Sequence, residues 1–230
     1  MNSIPQASMV HLWYVDLTHC EVQLANYTRT LSAPEAVRAR NFVMEDKRKR
    51  FIAAHVVLRE LIGDYLDYPP ADLEFSKHPK GKPALSGEAA QSGLMFNVSY
   101  TQSTMAIAIG GGREIGVDIE RLGLQRDVLA IARRFFSRAE FDNLAHLPTA
   151  QRDSAFLTAW TRKEAVMKAH GAGMVLLDKI ESGFEDGPLS KVISIDDQQF
   201  IVMDVAAPVG CRCAIARTGE AFDVVQRKLN

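Results

Sequence analysis

Asp118 and Glu120 are separated by one apolar residue in Gly116-Val117-Asp118-Ile119-Glu120. Side chains alternate along a strand, so both carboxylates would point to the same side. Further along, Trp160-Thr161-Arg162-Lys163-Glu164-Ala165-Val166-Met167-Lys168 sets Glu164 and Lys168 four residues apart, one turn on one helix face. If the two segments meet, three carboxylates and a lysine converge. Three such acids repel one another or take up protons unless a cation sits among them. An oxygen-only site with positions open to water and phosphate suits Mg²⁺, leaving the lysine to face the phosphate. Each half also has a plain structural reading: acids alternating on a solvated strand, and an i,i+4 pair worth a few tenths of a kcal/mol.

These residues need a strand and a helix to hold them, and the pattern supplies both. Strands are expected at residues 9–17, 73–76, 94–99, 104–109 and 115–120, then at 191–195, 199–204, 211–216 and 221–225. Ser32 with Glu35 and Ser137 with Glu140 read as capping boxes that open helices. The first helical region is basic through Arg38, Arg40 and residues 47–50, then carries the apolar stripe Phe51, Ala54, Val57, Leu58, Leu61, Ile62 and Tyr65. Asp67-Tyr68-Pro69-Pro70 stops it. Residues 77–83 are rich in turn formers, and residues 86–93 read as a loop. Helices are also expected at 128–136 and at about 150–169, the latter ended by Gly171 and Gly173. The fold class is α+β: two similar subdomains, residues 1–110 and 111–230, related by pseudo-twofold symmetry with a ligand cleft between them.

A chain of 230 residues, 47% hydrophobic and 24% charged, can bury a sizeable core. With 27 basic and 28 acidic residues the net charge is −1, so nothing global favours nucleic acid or an anionic membrane, and any anion site must be local. No apolar run approaches the roughly 20 residues that span a bilayer, and the first residues do not read as a signal peptide. The expectation is a soluble cytoplasmic protein. Cys211 and Cys213 would share a strand face with Cys20 far away, a set that supports neither a disulfide framework nor zinc, so reduced thiols are expected. The six histidines are scattered; His55 reads as a satisfied core residue, and His78 alone lies beside a turn of interest.

Taken together, the strand and the helix resemble the 4′-phosphopantetheinyl transferase superfamily, Sfp-type, whose members carry G-x-D-x-E and W-x-x-K-E-x-x-x-K at similar separation. The likeness extends to Phe136-Ser137-Arg138-Ala139-Glu140, to Gly81-Lys82-Pro83 after Lys80, to Arg50 closing a basic stretch, and to Phe96-Asn97-Val98-Ser99-Tyr100. Tyr100 departs from the family, which has a phosphate-binding histidine there; a phenol donates one hydrogen bond but carries no positive charge near neutral pH.

The resemblance implies transfer of the 4′-phosphopantetheine arm of coenzyme A to a serine of an apo acyl or peptidyl carrier protein, releasing 3′,5′-adenosine bisphosphate. It implies Mg²⁺ on Asp118, Glu120 and Glu164, with Lys168 on the pyrophosphate. Arg50, Lys82, Pro83, Ser99 and Tyr100 would hold the nucleotide end of coenzyme A, Arg38 fitting that set more loosely. The first subdomain would be the nucleotide side and the second the magnesium and carrier side. A serine needs a base, for which Glu164 or a water that it orients is the candidate. Trp160 is expected to pack the long helix, and Lys163 to support the carboxylates. Arg133, Arg134 and Arg138 beside Phe135 and Phe136 are candidates to meet an acidic carrier, and a monomer should suffice. A non-catalytic coenzyme A or carrier-binding module, or a Mg²⁺-dependent nucleotide hydrolase, are the alternatives.

Overall fold

The computed structural model describes residues 2–17, 29–77, 81–123, 126–171, 173–185 and 190–229. His19, Cys20, His78 and Lys80 fall outside them. The order of elements is β1 (Met9–Asp16), α1 (Ala33–Arg40), α2 (Glu45–Leu66), β2 (Glu74–Lys77), β3 (Pro83–Ser86), β4 (Leu94–Thr101), β5 (Thr104–Gly111) and β6 (Ile115–Arg121). Then come α3 (Val128–Phe135), α4 (Arg138–His146), α5 (Thr149–His170), β7 (Ser190–Ile195), β8 (Gln198–Asp204), β9 (Cys211–Thr218) and β10 (Asp223–Arg227). The fold is α+β, as expected.

Two four-stranded sheets form, in the orders β10-β1-β5-β4 and β6-β9-β8-β7, with β2 and β3 as a separate hairpin. Alternation along each strand sorts the side chains into layers. In the first sheet Trp13, Val15, Met105, Ile107 and Ile109 face the apolar stripe of α2. Val10, Leu12, Ala106 and Ala108 face the second sheet, where they meet Val117, Ile119, Cys213 and Ile215. On the far side of that sheet Ile193, Phe200, Val202 and Ala214 pack on Val166, Met167 and Ala169 of α5. The alanines of β5 are small enough to let the second sheet approach closely. No described helix is long and apolar enough to cross a membrane.

Four local expectations change. The first helical region is broken at residues 41–44, where Val43 is fully exposed. The break lets α1 fold back so that Glu35 reaches His55 and Arg59 on α2. Residues 83–86 form a strand against β2, and residues 87–92 form a 3₁₀ helix rather than an open loop. That helix buries Ala89, and Ser92 donates to the Ala89 carbonyl. The last strand, expected in the second half, runs parallel to β1 in the first sheet, with Val10 opposite Val224. Val224 adds to the apolar layer between the sheets, a reward that strand propensity cannot report.

The α1–α2 contact makes stability depend on acid. Burial would push the Glu35 carboxyl up, but hydrogen bonds from His55, Arg59 and Ser32 outweigh it and hold the group at about 2. A carboxyl whose pKa is lowered by folding adds stability above its unfolded value, near 4.5, and loses it as pH falls toward 2. The shift is worth on the order of 3 kcal/mol. Denaturant unfolding should therefore show the parent losing stability across that window, while Glu35→Gln starts weaker and is nearly flat there. Equal pH slopes for the two proteins would refute the assignment.

Candidate active site

β6 and β4 are both edge strands, and an edge leaves backbone donors unpaired. Here side chains close the gap. Asn97 Oδ1 accepts from Val117 N at 2.9 Å, and Ser99 Oγ accepts a longer bond from Ile119 N at 3.4 Å. The two sheets are thus joined edge to edge by buried polar residues of β4, and β6 is fixed with Gly116, Asp118 and Glu120 on the side facing α5. Gly116 lies directly beneath α5, against the Ala165 carbonyl and the Ala169 amide. This close approach brings Lys168 onto Asp118.

Lys168 Nζ donates to Asp118 Oδ1 at 2.7 Å, Ser99 Oγ at 2.9 Å and the Val117 carbonyl at 3.1 Å. Those acceptors match the three donors of an ammonium. Ser99 Oγ also donates to Asp118 Oδ1 at 2.8 Å. The other oxygen, Asp118 Oδ2, is buried without a hydrogen-bond partner among the described residues. Glu164 lies one turn before Lys168, and its carboxyl is pushed up to about 7 by burial and then by the charges of Asp118 and Glu120, with Lys168 opposing. Glu120 is also raised, by burial and Asp118, against the opposing Arg126 and Lys168. Arg126 reaches Glu120 Oε2 through two long bonds of 3.4 Å.

An orphaned buried carboxylate oxygen and two acids destabilised by burial and by the charge of Asp118 are what a hard divalent cation relieves, so the donor set fits one. Among the described residues no three His, Cys, Asp or Glu side chains stand assembled around one point. Lys168 and Arg126 instead serve as counter-ions to Asp118 and Glu120.

Beside the acids opens a cleft of about 280 Å³ lined by Gly81, Lys82 and Pro83, by Asn97 and Val98, and by Glu164, Met167 and Lys168 with residues 171–174. Both halves of the chain contribute, so Lys82 and Pro83 share one cavity with Glu164 and Lys168. Ser99 sits behind Asp118 and fixes the acidic strand. Arg50 is exposed on α2, and Tyr100 is exposed on the face of β4 opposite Ser99; neither is among the residues lining the cleft. Arg38 is exposed and stacks over Phe51.

Two further expectations divide. Trp160 packs as anticipated, edge-on to Phe135 and stacked near Phe156. Lys163 does not support the acids. It is fully buried on another face of α5, where it pairs with Glu140 at 2.6 Å and donates to the Leu177 and Ile180 carbonyls. His55 is held by Glu35, and Cys211 and Cys213 are buried free thiols. Asn97, Glu114 and Arg126 were not picked out as site residues by their sequence context. Asn97 and Ser99, alternating on a largely apolar strand, carried a usable signal: buried polar groups require partners.

The 4′-phosphopantetheinyl transferase superfamily model matches residues 114–203, and the N-terminal 4′-phosphopantetheinyl transferase model matches residues 18–110. The chain is 40% identical over 172 residues to the 4′-phosphopantetheinyl transferase HetI of Nostoc sp., covering 75% of this chain and 73% of that one. It is 25% identical to the transferase Sfp of Bacillus subtilis, covering 71% and 70%, and 26% identical to AcpT of Salmonella typhimurium, covering 76% and 78%. Two family models that divide the chain between them, and a relative this similar along most of both lengths, establish that this chain belongs to the 4′-phosphopantetheinyl transferase superfamily.

Proposed function

We propose that this protein transfers the 4′-phosphopantetheine arm of coenzyme A to a serine of an apo acyl or peptidyl carrier protein, with Mg²⁺ held by Asp118, Glu120 and Glu164. The observation that carries the reading is the shared cleft, which sets Lys82 and Pro83 opposite the Glu164–Lys168 turn and beside the buried, half-satisfied Asp118. Mg²⁺, when bound, supplies charge neutralisation at the pyrophosphate.

The residues of the chain do the rest. Lys82 provides a cationic donor for phosphate oxygens, Lys168 does so by exchanging one of its three acceptors for a phosphate oxygen, and Ser99 keeps Asp118 aimed at α5. The carrier serine Oγ forms a bond to the β-phosphorus of coenzyme A while the bond from that phosphorus to the bridging oxygen breaks, so 3′,5′-adenosine bisphosphate leaves with the electron pair. The serine proton passes to Glu164 or to a water that Glu164 orients. The two halves line one cleft, which supports a monomeric unit of activity. Arg50 and Tyr100 would meet the nucleotide only outside this cleft.

Intact-mass measurement of an apo carrier incubated with coenzyme A and Mg²⁺ tests the reading. A phosphopantetheine-sized gain that disappears with chelator is expected. Binding of coenzyme A with no mass gain on any apo carrier would favour a binding module instead.

The carrier should dock beside α3 and α4. Asp127 caps α3, Ser137 caps α4, and both helices present arginines to solvent. Arg134 lies over Phe135, and Arg138 is 86% exposed and paired with Asp142. Phe136 is buried against Phe156, so it belongs to the core and leaves the contact to the basic side chains. Arg134→Glu and Arg138→Glu should each raise KM for carrier several-fold, about the scale of one rim charge, with KM for coenzyme A unchanged. Unaltered carrier KM in both would place the docking surface elsewhere.

A further inference from the structure

Both described lysines of the cleft are engaged by carboxylates, but in different ways. Lys168 is bound to Asp118 deep in the site, where the charge is part of the acidic cluster. Lys82 is bound at 2.5 Å to Glu114, which lies outside that cluster, immediately before β6. The backbone of Glu114 is fixed, since its carbonyl accepts from Thr218 N on β9 at 3.1 Å. Its side chain is half exposed, whereas that of Lys82 is only 14% exposed. The neighbouring cation, Arg113, turns away to Glu220 at 3.6 Å. Glu114 and Lys82 therefore form a bridge from the β5–β6 junction to the segment that enters β3, beside the cleft.

We infer that Glu114 is a positioning residue for Lys82, which it holds in the empty cleft and yields to a phosphate of the incoming nucleotide. This rests on the reading that the cleft takes coenzyme A. A phosphate and the Glu114 carboxylate compete for one ammonium, and the carboxylate also repels the phosphate. The exchange is easy in the direction of binding because the Glu114 side chain is well solvated when released and its pair with Lys82 is screened by water. Glu114 thus keeps a mostly buried lysine paired and pointed while the cleft is empty, and lowers affinity for the nucleotide. Such a device favours release of the phosphorylated product.

Calorimetric titration with 3′,5′-adenosine bisphosphate tests this without carrier or turnover, using the parent, Glu114→Gln, Glu114→Asp, Lys82→Met and the double variant Lys82→Met/Glu114→Gln. Glu114→Gln should bind about three- to tenfold more tightly than the parent, more so at low salt, as expected for one partly screened charge. Glu114→Asp, which keeps the charge, should stay near the parent. In the Lys82→Met background the gain from Glu114→Gln should largely vanish, and in turnover Glu114→Gln should lower KM for coenzyme A while KM for carrier holds. A merely structural salt bridge would give equal or weaker binding in Glu114→Gln, and that result overturns the inference, as does an undiminished gain without Lys82. A parent protein that binds no 3′,5′-adenosine bisphosphate would overturn the coenzyme A reading of the cleft together with this one.

Discussion

Asp118→Ala is expected to cut carrier modification by at least two to three orders of magnitude while leaving a folded protein. Beside the cleft, Asp118 has a buried carboxylate oxygen with no hydrogen-bond partner among the described residues, and it is the anion to which Lys168 is anchored. Removing it takes away a proposed metal-ligand oxygen and the charge that orders the lysine, and interactions of that kind are worth several kcal/mol in the transition state. The fold should survive because Lys168 keeps Ser99 and the Val117 carbonyl as acceptors and β6 keeps its ladder to β9. Glu120→Ala and Glu164→Ala should lose activity comparably, and each should weaken Mg²⁺ or Mn²⁺ binding by calorimetry. Asp118→Asn separates charge from shape: it preserves a hydrogen-bonding side chain beside Ser99 and should still be inactive. Near-normal turnover in any two of the three alanine variants would remove the metal assignment from these residues.

The acids and the lysine were legible because their geometry is local. Alternation on a strand fixes Asp118 and Glu120 to one face, and helical spacing fixes Glu164 and Lys168 to one turn. The capping boxes at Ser32 and Ser137 were legible for the same reason. What lay beyond the sequence depends on partners far along the chain. The role of Ser99 follows from two sheet edges meeting, which no periodicity encodes, and β10 joins β1 because of a layer assembled by both halves. Lys163 illustrates the limit: one position from Glu164, it points to another side of α5 and neutralises Glu140 beneath the 3₁₀ segment at residues 173–179. Counter-ions were the least visible part. Arg126 on Glu120 and Glu114 on Lys82 are ordinary charged residues in sequence, and become meaningful only once the groups opposite them are known.

The glycine of the acidic strand has a role that its neighbours obscure. A Cβ at Gly116 would stand 2.0 Å from the Ala165 carbonyl oxygen, 2.5 Å from the Ala169 amide nitrogen and 3.0 Å from Lys168 Cβ. The first two are backbone atoms of α5, so no side-chain rotation relieves the clash, and β6 and α5 must separate by roughly an ångström or more. That seam also carries the proposed active site, since Asp118 and Glu120 ride on β6 while Glu164 and Lys168 ride on α5. Gly116→Ala should therefore do two things together. Overpacking of this core seam should cost about 1–3 kcal/mol or more, and an ångström of misplacement across the reacting groups can cost about 100-fold in rate. Denaturant unfolding and the carrier mass assay on the same preparation measure both, at a temperature where the variant remains folded. The contrasting variant Val117→Ala faces the layer between the sheets instead, so it should lose stability by cavity formation yet keep most of its turnover per folded molecule. A Gly116→Ala protein with the parent's stability and turnover would mean that α5 does not lie on β6 as closely as these contacts require.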